Sequence, residues 1–140
     1  MTITGHSMYA DAAAMRSRNV ATVEAFYESE RIRDLAAWVP LWHPDGRQTF
    51  PFAPDWTVSG IDQLTEVTRR KFEVRPSYEI HVVAEPFENP QRVLARLHLV
   101  FPDYEPPTAD LWCIFHFDAA GLINEVEEML DTARGPAFPQ

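Results

Sequence analysis

The sequence predicts an α+β domain in which three N-terminal helices pack on one face of a strongly bent, mostly antiparallel sheet. Apolar residues recur at helical spacing three times before Pro76, and beyond Pro76 the period changes to two and stays there through Leu130. Helices followed by a run of strands give helices segregated to one face of a sheet. The scale fits one such domain: 140 residues, 46% of them hydrophobic, with four Trp, nine Phe and four Tyr to fill a single core.

Residues 1–14 are small and polar without a period and read as a mobile arm, so the domain is expected over 15–131 with a tail at 132–140. From Met15 to Ser29, Val20, Val23, Phe26 and Tyr27 fall at helical spacing, with Glu24 and Glu28 on the other face. Ile32, Leu35, Trp38, Val39 and Trp42 form a second stripe, which Pro40 should end near Trp38. His43-Pro-Asp-Gly46 is turn chemistry, and Arg47 to Phe52 reads as a short strand closed by Pro51 and Pro54. The third helix is expected to start at Ser59, with Asp62 in capping-box position and Ile61, Leu64, Val67 and Phe72 on the stripe.

Past Pro76, Tyr78, Ile80, Val82 and Ala84 alternate with Glu79, His81, Val83 and Glu85. Val93, Ala95, Leu97, Leu99 and Phe101 alternate with Arg96 and His98. A proline-rich loop, Pro102 to Pro107, leads to a strand over Leu111 to Phe117, and Asp118-Ala-Ala-Gly121 turns into the last strand, Leu122 to Leu130. A layer of helices on a bent sheet leaves a conical cavity in which a small molecule binds.

Order and residues together resemble the nuclear-transport-factor-2-like (cystatin-like, SnoaL-like) superfamily, which includes ketosteroid isomerases and polyketide cyclases. The phenazine-biosynthesis A/B proteins within it are the nearest resemblance. Asn19-Val-Ala-Thr-Val-Glu-Ala-Phe26 resembles their first helix, Leu41-Trp-His-Pro-Asp-Gly46 the end of their second, Phe101-Pro-Asp-Tyr104 an inter-strand loop, and Gly121-Leu-Ile-Asn-Glu-Val-Glu-Glu128 the last strand. The resemblance spans about residues 15–131 and implies a cone that moves protons on a small, often carbonyl-bearing molecule without metal or organic cofactor. The family's acidic residue on the last strand matches Glu128. Its partner histidine on the third helix has no counterpart between Leu64 and Lys71, where Val67 lies near that place.

Glu128 is also singled out by parity. Leu122, Asn124, Val126, Glu128 and Leu130 share a face that is otherwise mostly apolar, so Glu128 should point into the cone unless a bulge reverses it. A carboxyl there loses hydration, and its raised pKa suits proton exchange near neutral pH. It needs a second group to hold a developing oxyanion. Candidates are Tyr78, His116 on the third long strand, whose direction the parity leaves open, and His43, which a solvated turn also explains. His81 and His98 fall on polar parities, and Asp45 is explained by its turn. Arg96 can grip a carboxylate substrate or pair with an acid on the outer face. Trp42, Phe52, Trp56 and Trp112, with Trp38, Phe50 and Tyr78, are candidates to line a pocket for a planar molecule, although at least half of these aromatics should be core.

Other chemistries find no support. A formal charge of −9 repels phosphate backbones, so no nucleic-acid partner is expected. No apolar run is long enough to span a membrane, the first twenty residues are no signal peptide, and the single Cys113 reads as an inert core thiol of a cytoplasmic protein. Neither zinc-ligand spacing nor a glycine-rich phosphate loop occurs, so neither a metal nor a cofactor is expected. Two readings follow: a cofactor-independent acid/base enzyme (cyclase, isomerase, dehydratase or condensing enzyme), or a non-catalytic module binding a ligand or protein. In either case Val83, Val100 and Met129 on the outer sheet face predict a homodimer.

Overall fold

The computed structural model describes residues 5–130, with side chains described from residue 11. Helix α1 spans Gly5–Ile32, α2 Leu35–Trp38 and α3 Ile61–Val74. The strands are β1 Trp42–Thr49, β2 Val58–Ser59, β3 Glu79–Pro86, β4 Arg92–Val100, β5 Thr108–Phe117 and β6 Ile123–Met129. They form one sheet in the order β2-β1-β6-β5-β4-β3. Every pairing is antiparallel except β1 with β6, which makes the sheet mixed.

Helix α1 starts within the stretch expected to be an arm. Ala12, Ala13 and Ala14 form helix by propensity alone, without the apolar period that would reveal it. The tail at 132–140 lies outside the described residues. Arg33, at φ 58°, breaks the helix in the left-handed region, and Asp34 then caps α2 by accepting from the Ala37 N–H at 3.1 Å. The Arg33 guanidinium donates to the carbonyls of Phe72 and Pro76, each at 2.7 Å, and so ties the end of α1 to the end of α3. At the other end, the buried Asn19 amide donates to the Pro90 carbonyl at 2.9 Å, anchoring α1 to the β3–β4 turn.

Alternation dictates the sheet's inner face. Val93, Ala95, Leu97 and Leu99 of β4 and Leu111, Cys113, Phe115 and Phe117 of β5 are buried against Val23, Phe26 and Tyr27 of α1. Phe26 meets Phe115 edge-on at 5.0 Å, and Trp38 lies 5.4 Å from Trp42.

Three local expectations are corrected. Trp42 does not continue the second helical stripe but opens β1, and His43-Pro-Asp-Gly46 is an irregularity inside that strand: four residues of β1 pass one of β6 between Trp42 and Arg47. The same strand stops at Thr49, short of Phe52. Helix α3 is preceded by Gly60 at φ 86°, because Ser59 is held in β2 and its N–H donates to the Gln63 side chain at 2.8 Å. A bulge also occurs in β6, where His116 faces Glu125 and Phe117 faces Ile123. Asn124 is left out of register and exposed, while Ile123 and Val126 both point inward. The bulge lies upstream of Glu128, so its parity with Val126 survives.

Gly46 is buried in the β1 irregularity, and its carbonyl accepts from the Gly60 N–H at 2.8 Å, fixing where α3 begins. A β-carbon there would lie 2.6 Å from Trp42 Cε3. Gly46→Ala is expected to lower stability by about 1–3 kcal/mol through overpacking, read from the urea midpoint. An unchanged midpoint would show that Trp42 is free to yield.

Candidate functional site

A cavity of about 420 Å³ lies between α1, α3 and the inner face of the sheet. Leu97, Leu99, Leu111 and Val126 give it apolar sheet walls, and Phe50 and Trp56 meet edge-on at 5.8 Å among its lining residues. Trp56 is 38% exposed, as expected of a rim. Tyr78 stacks on Phe101 at 4.8 Å, and its hydroxyl accepts from the Arg75 guanidinium at 3.1 Å.

Glu128 reaches the cavity from β6, directly across from Cys113 of β5, whose thiol lies 3.9 Å from Glu128 Oε1. Burial raises the Glu128 pKa above the ordinary 4.5, against the pull of Lys71 and Arg75, and the nearby Glu30 raises it further. Burial likewise pushes the Tyr27 phenol and the Cys113 thiol well up, so both stay neutral beside it, the thiol as inert as its place in the core suggests.

The cavity's other charged groups come from helices. Glu30 of α1 is buried, and it accepts from Lys71 Nζ of α3 at 3.0 Å and from Trp38 Nε1 of α2 at 3.2 Å. Lys71, Arg70 and Arg75 all line the cavity from α3 and its end. Sequence reasoning missed Glu30 and Lys71, yet the signal exists. Val23, Phe26, Tyr27 and Glu30 share one helical stripe, as do Leu64, Val67, Thr68 and Lys71, and a charge closing an apolar stripe marks a buried, paired group.

Of the sequence candidates, the structure brings Glu128, Tyr78, Phe50 and Trp56 to the cavity and leaves seven outside it, Trp38 among them as core. His116 points to the outer face, where its ring lies 2.7 Å from Glu127, because inward positions on β5 are the odd-numbered ones. For the same reason Trp112 faces outward, 52% exposed. His43 sits in the β1 irregularity and accepts from the Asp45 N–H at 3.0 Å. Arg96 pairs with Glu85 across the outer face. Trp42 is core, and Phe52, beyond the strand end, is 70% exposed. His81 and His98 lie on the outer face as their parity indicates.

The sequence profile of the SnoaL-like domain matches residues 23–126. A search of curated proteins finds no match. Among solved structures, the chain is similar to a phenazine biosynthesis-related protein of Pseudomonas aeruginosa, at a TM-score of 0.69 and 18% identity over 94% of this chain and 96% of that one. A steroid delta-isomerase of the same organism gives 0.65 and 19%, over 84% and 82%. An uncharacterized cystatin-fold protein of Novosphingobium aromaticivorans gives 0.66 and 18%, over 79% and 97%. At these identities the likeness shows the fold.

The raised pKa of Glu128 has a stability consequence. The unfolded chain releases this proton near 4.5 while the folded chain keeps it, so wild-type stability present below that pH is lost as pH rises through the folded value. Glu128→Gln is expected to gain melting temperature relative to wild type progressively as pH rises above about 4.5. A difference that stays flat above that pH would contradict the burial of this carboxyl.

Proposed function

The chain belongs to the SnoaL-like domain family, and from that premise we propose that it is a cofactor-independent acid/base enzyme acting on a small carbonyl-bearing or aromatic molecule. The observation that carries this reading is a carboxyl, Glu128, held inside an aromatic-edged cavity with its pKa raised by burial. Raising the pKa makes the carboxylate a stronger base and brings its titration toward neutral pH, where a proton taken from one carbon can be returned at another. The C–H bond breaks to Glu128, and its electron pair moves onto the carbonyl oxygen as an enolate. Tyr78, accepting from Arg75, keeps its own proton to donate to that oxygen. Isomerisation, cyclisation and dehydration all start from this step.

A non-catalytic binding module is the second reading. It is favoured by the absence from the cavity of His43, His81, His98 and His116, the four histidines with described side chains.

We further propose that two copies pair through the outer face of the sheet. Val83, Arg96, Trp112 and Met129 form one cross-strand row there, with Val83 53% and Trp112 52% exposed. The mixed charges beside the row, Arg96 with Glu85 and His98 with Asp110, are self-complementary under a two-fold axis.

Two measurements test these proposals. A thermal-shift panel of aromatic and carbonyl compounds supplies ligands, which are then incubated in deuterated buffer with the protein. Wild type is expected to exchange hydrogen at the carbon beside the carbonyl, and Glu128→Gln to slow this about a hundredfold or more. Binding without exchange would establish the module instead. By light scattering the chain should have the mass of two copies, and Trp112→Asp that of one; a monomeric wild type rejects the pairing.

A further inference from the structure

The acid/base reading leaves a partly buried ion pair at the cavity wall unused. Lys71 Nζ lies 3.0 Å from Glu30 Oε1, with the two side chains 20% and 9% exposed, and both residues line the same cavity as Glu128. Glu30 is fixed from its other oxygen by Trp38 Nε1 at 3.2 Å, so the carboxylate cannot follow the ammonium if it moves. An ammonium has three N–H donors, and Glu30 is the hydrogen-bond partner that Lys71 has among the described residues. A buried ion pair contributes little net stability, because desolvation offsets the attraction. Its place at a cavity wall calls for a different account.

We propose that Lys71 holds the negative oxygen of the ligand, so that the cavity selects molecules that carry an oxyanion, or form one, next to Glu128. The ligand class is an enolisable ketone or a phenol. Lys71 is the only one of the three α3-side cations placed for this. Arg70 is exposed, and Arg75 lies past the helix end with its guanidinium on the Tyr78 hydroxyl. Lys71 instead follows Leu64 and Thr68 on the inward stripe, with its side chain only 20% exposed, so a bond it donates into the cavity is partly shielded from water. Glu30 is the positioning residue: it holds the ammonium aimed, as an ion pair preorganised before the ligand arrives. When Glu128 takes a carbon-bound proton, the electron pair arriving on the carbonyl oxygen is met by an N–H of Lys71, and no proton need leave the ammonium. The proposal rests on the acid/base reading only for the enolate; a phenolate tests it without turnover.

The probes are para-nitrophenol, whose phenolate absorbs in the visible, and para-nitroanisole, its neutral isostere. Below the phenol's own pKa, binding to wild type is expected to raise the phenolate absorbance, and the phenolate should bind tighter than the anisole. The variant Lys71→Met with Glu30→Gln removes both charges together, keeps an acceptor for Trp38, and is checked for folding by circular dichroism. It should lose about ten- to hundredfold in phenolate affinity with anisole binding unchanged, the size of one charge-assisted hydrogen bond. Glu128→Gln, which removes a competing negative charge, should bind the phenolate as tightly as wild type or more so. Equal affinity of wild type for the two probes, no binding of either, or wild-type phenolate affinity in the folded double variant would each overturn the proposal. Should Glu128→Gln leave deuterium exchange intact while the double variant loses phenolate, the acid/base role of Glu128 fails and that of Lys71 stands.

Discussion

Glu30 of α1 is bonded to both of the other helices, to Trp38 of α2 through one oxygen and to Lys71 of α3 through the other. A carboxylate buried without partners costs several kcal/mol, so the helices are stable only in the arrangement that brings both donors to it. Arg33 reinforces this from the same end of α1, gripping the carbonyls of Phe72 and Pro76 where α3 finishes. Helix α3 is thereby held with its Leu64, Thr68 and Lys71 side turned inward, and the width of the cavity follows from that spacing.

The sheet supplies the opposite wall, and its two faces follow different electrostatic rules. Outside, Arg96 with Glu85, His81 with Glu79 and His98 with Asp110 are exposed pairs, each worth little because water screens them. Inside, the charges of Glu30, Lys71 and Arg75 all act on Glu128. Glu128 is pushed toward its neutral form by burial, whereas Lys71 and Arg75 draw it back toward the carboxylate. A base needs both tendencies: enough burial to be strong and enough positive field to be ionised when the substrate arrives. Beside it, Tyr27 and Cys113 are held neutral by burial.

Long-period features were legible in the sequence because they repeat. The helix-to-strand switch at Pro76 and the alternation along β3 and β4 each rest on four or more residues, and both stand in the structure. Short irregularities were not. The three extra residues in β1 and the bulge at Asn124 depend on which neighbour each strand meets, which a single strand's pattern does not contain. Glu128 was found because the bulge lies before it. His116 and Trp112 could not be placed from one strand, since Ile114 between them is apolar on a face that proved outward. Trp42 illustrates the ambiguity of large aromatics, which core and pocket claim alike. Glu30 and Lys71 were visible only to a reader who asks why a charge closes an apolar stripe.

The central claim is that Glu128 is a buried carboxyl that titrates above an ordinary glutamate. Its carboxyl carbon can be followed by carbon-13 NMR across the acid-to-neutral range, with the signal assigned by its loss in Glu128→Gln. A midpoint above 4.5, the ordinary glutamate value, is expected. A midpoint at or below that value would mean that the carboxylate is solvated or neutralised by Lys71 and Arg75, and the site would lose its base.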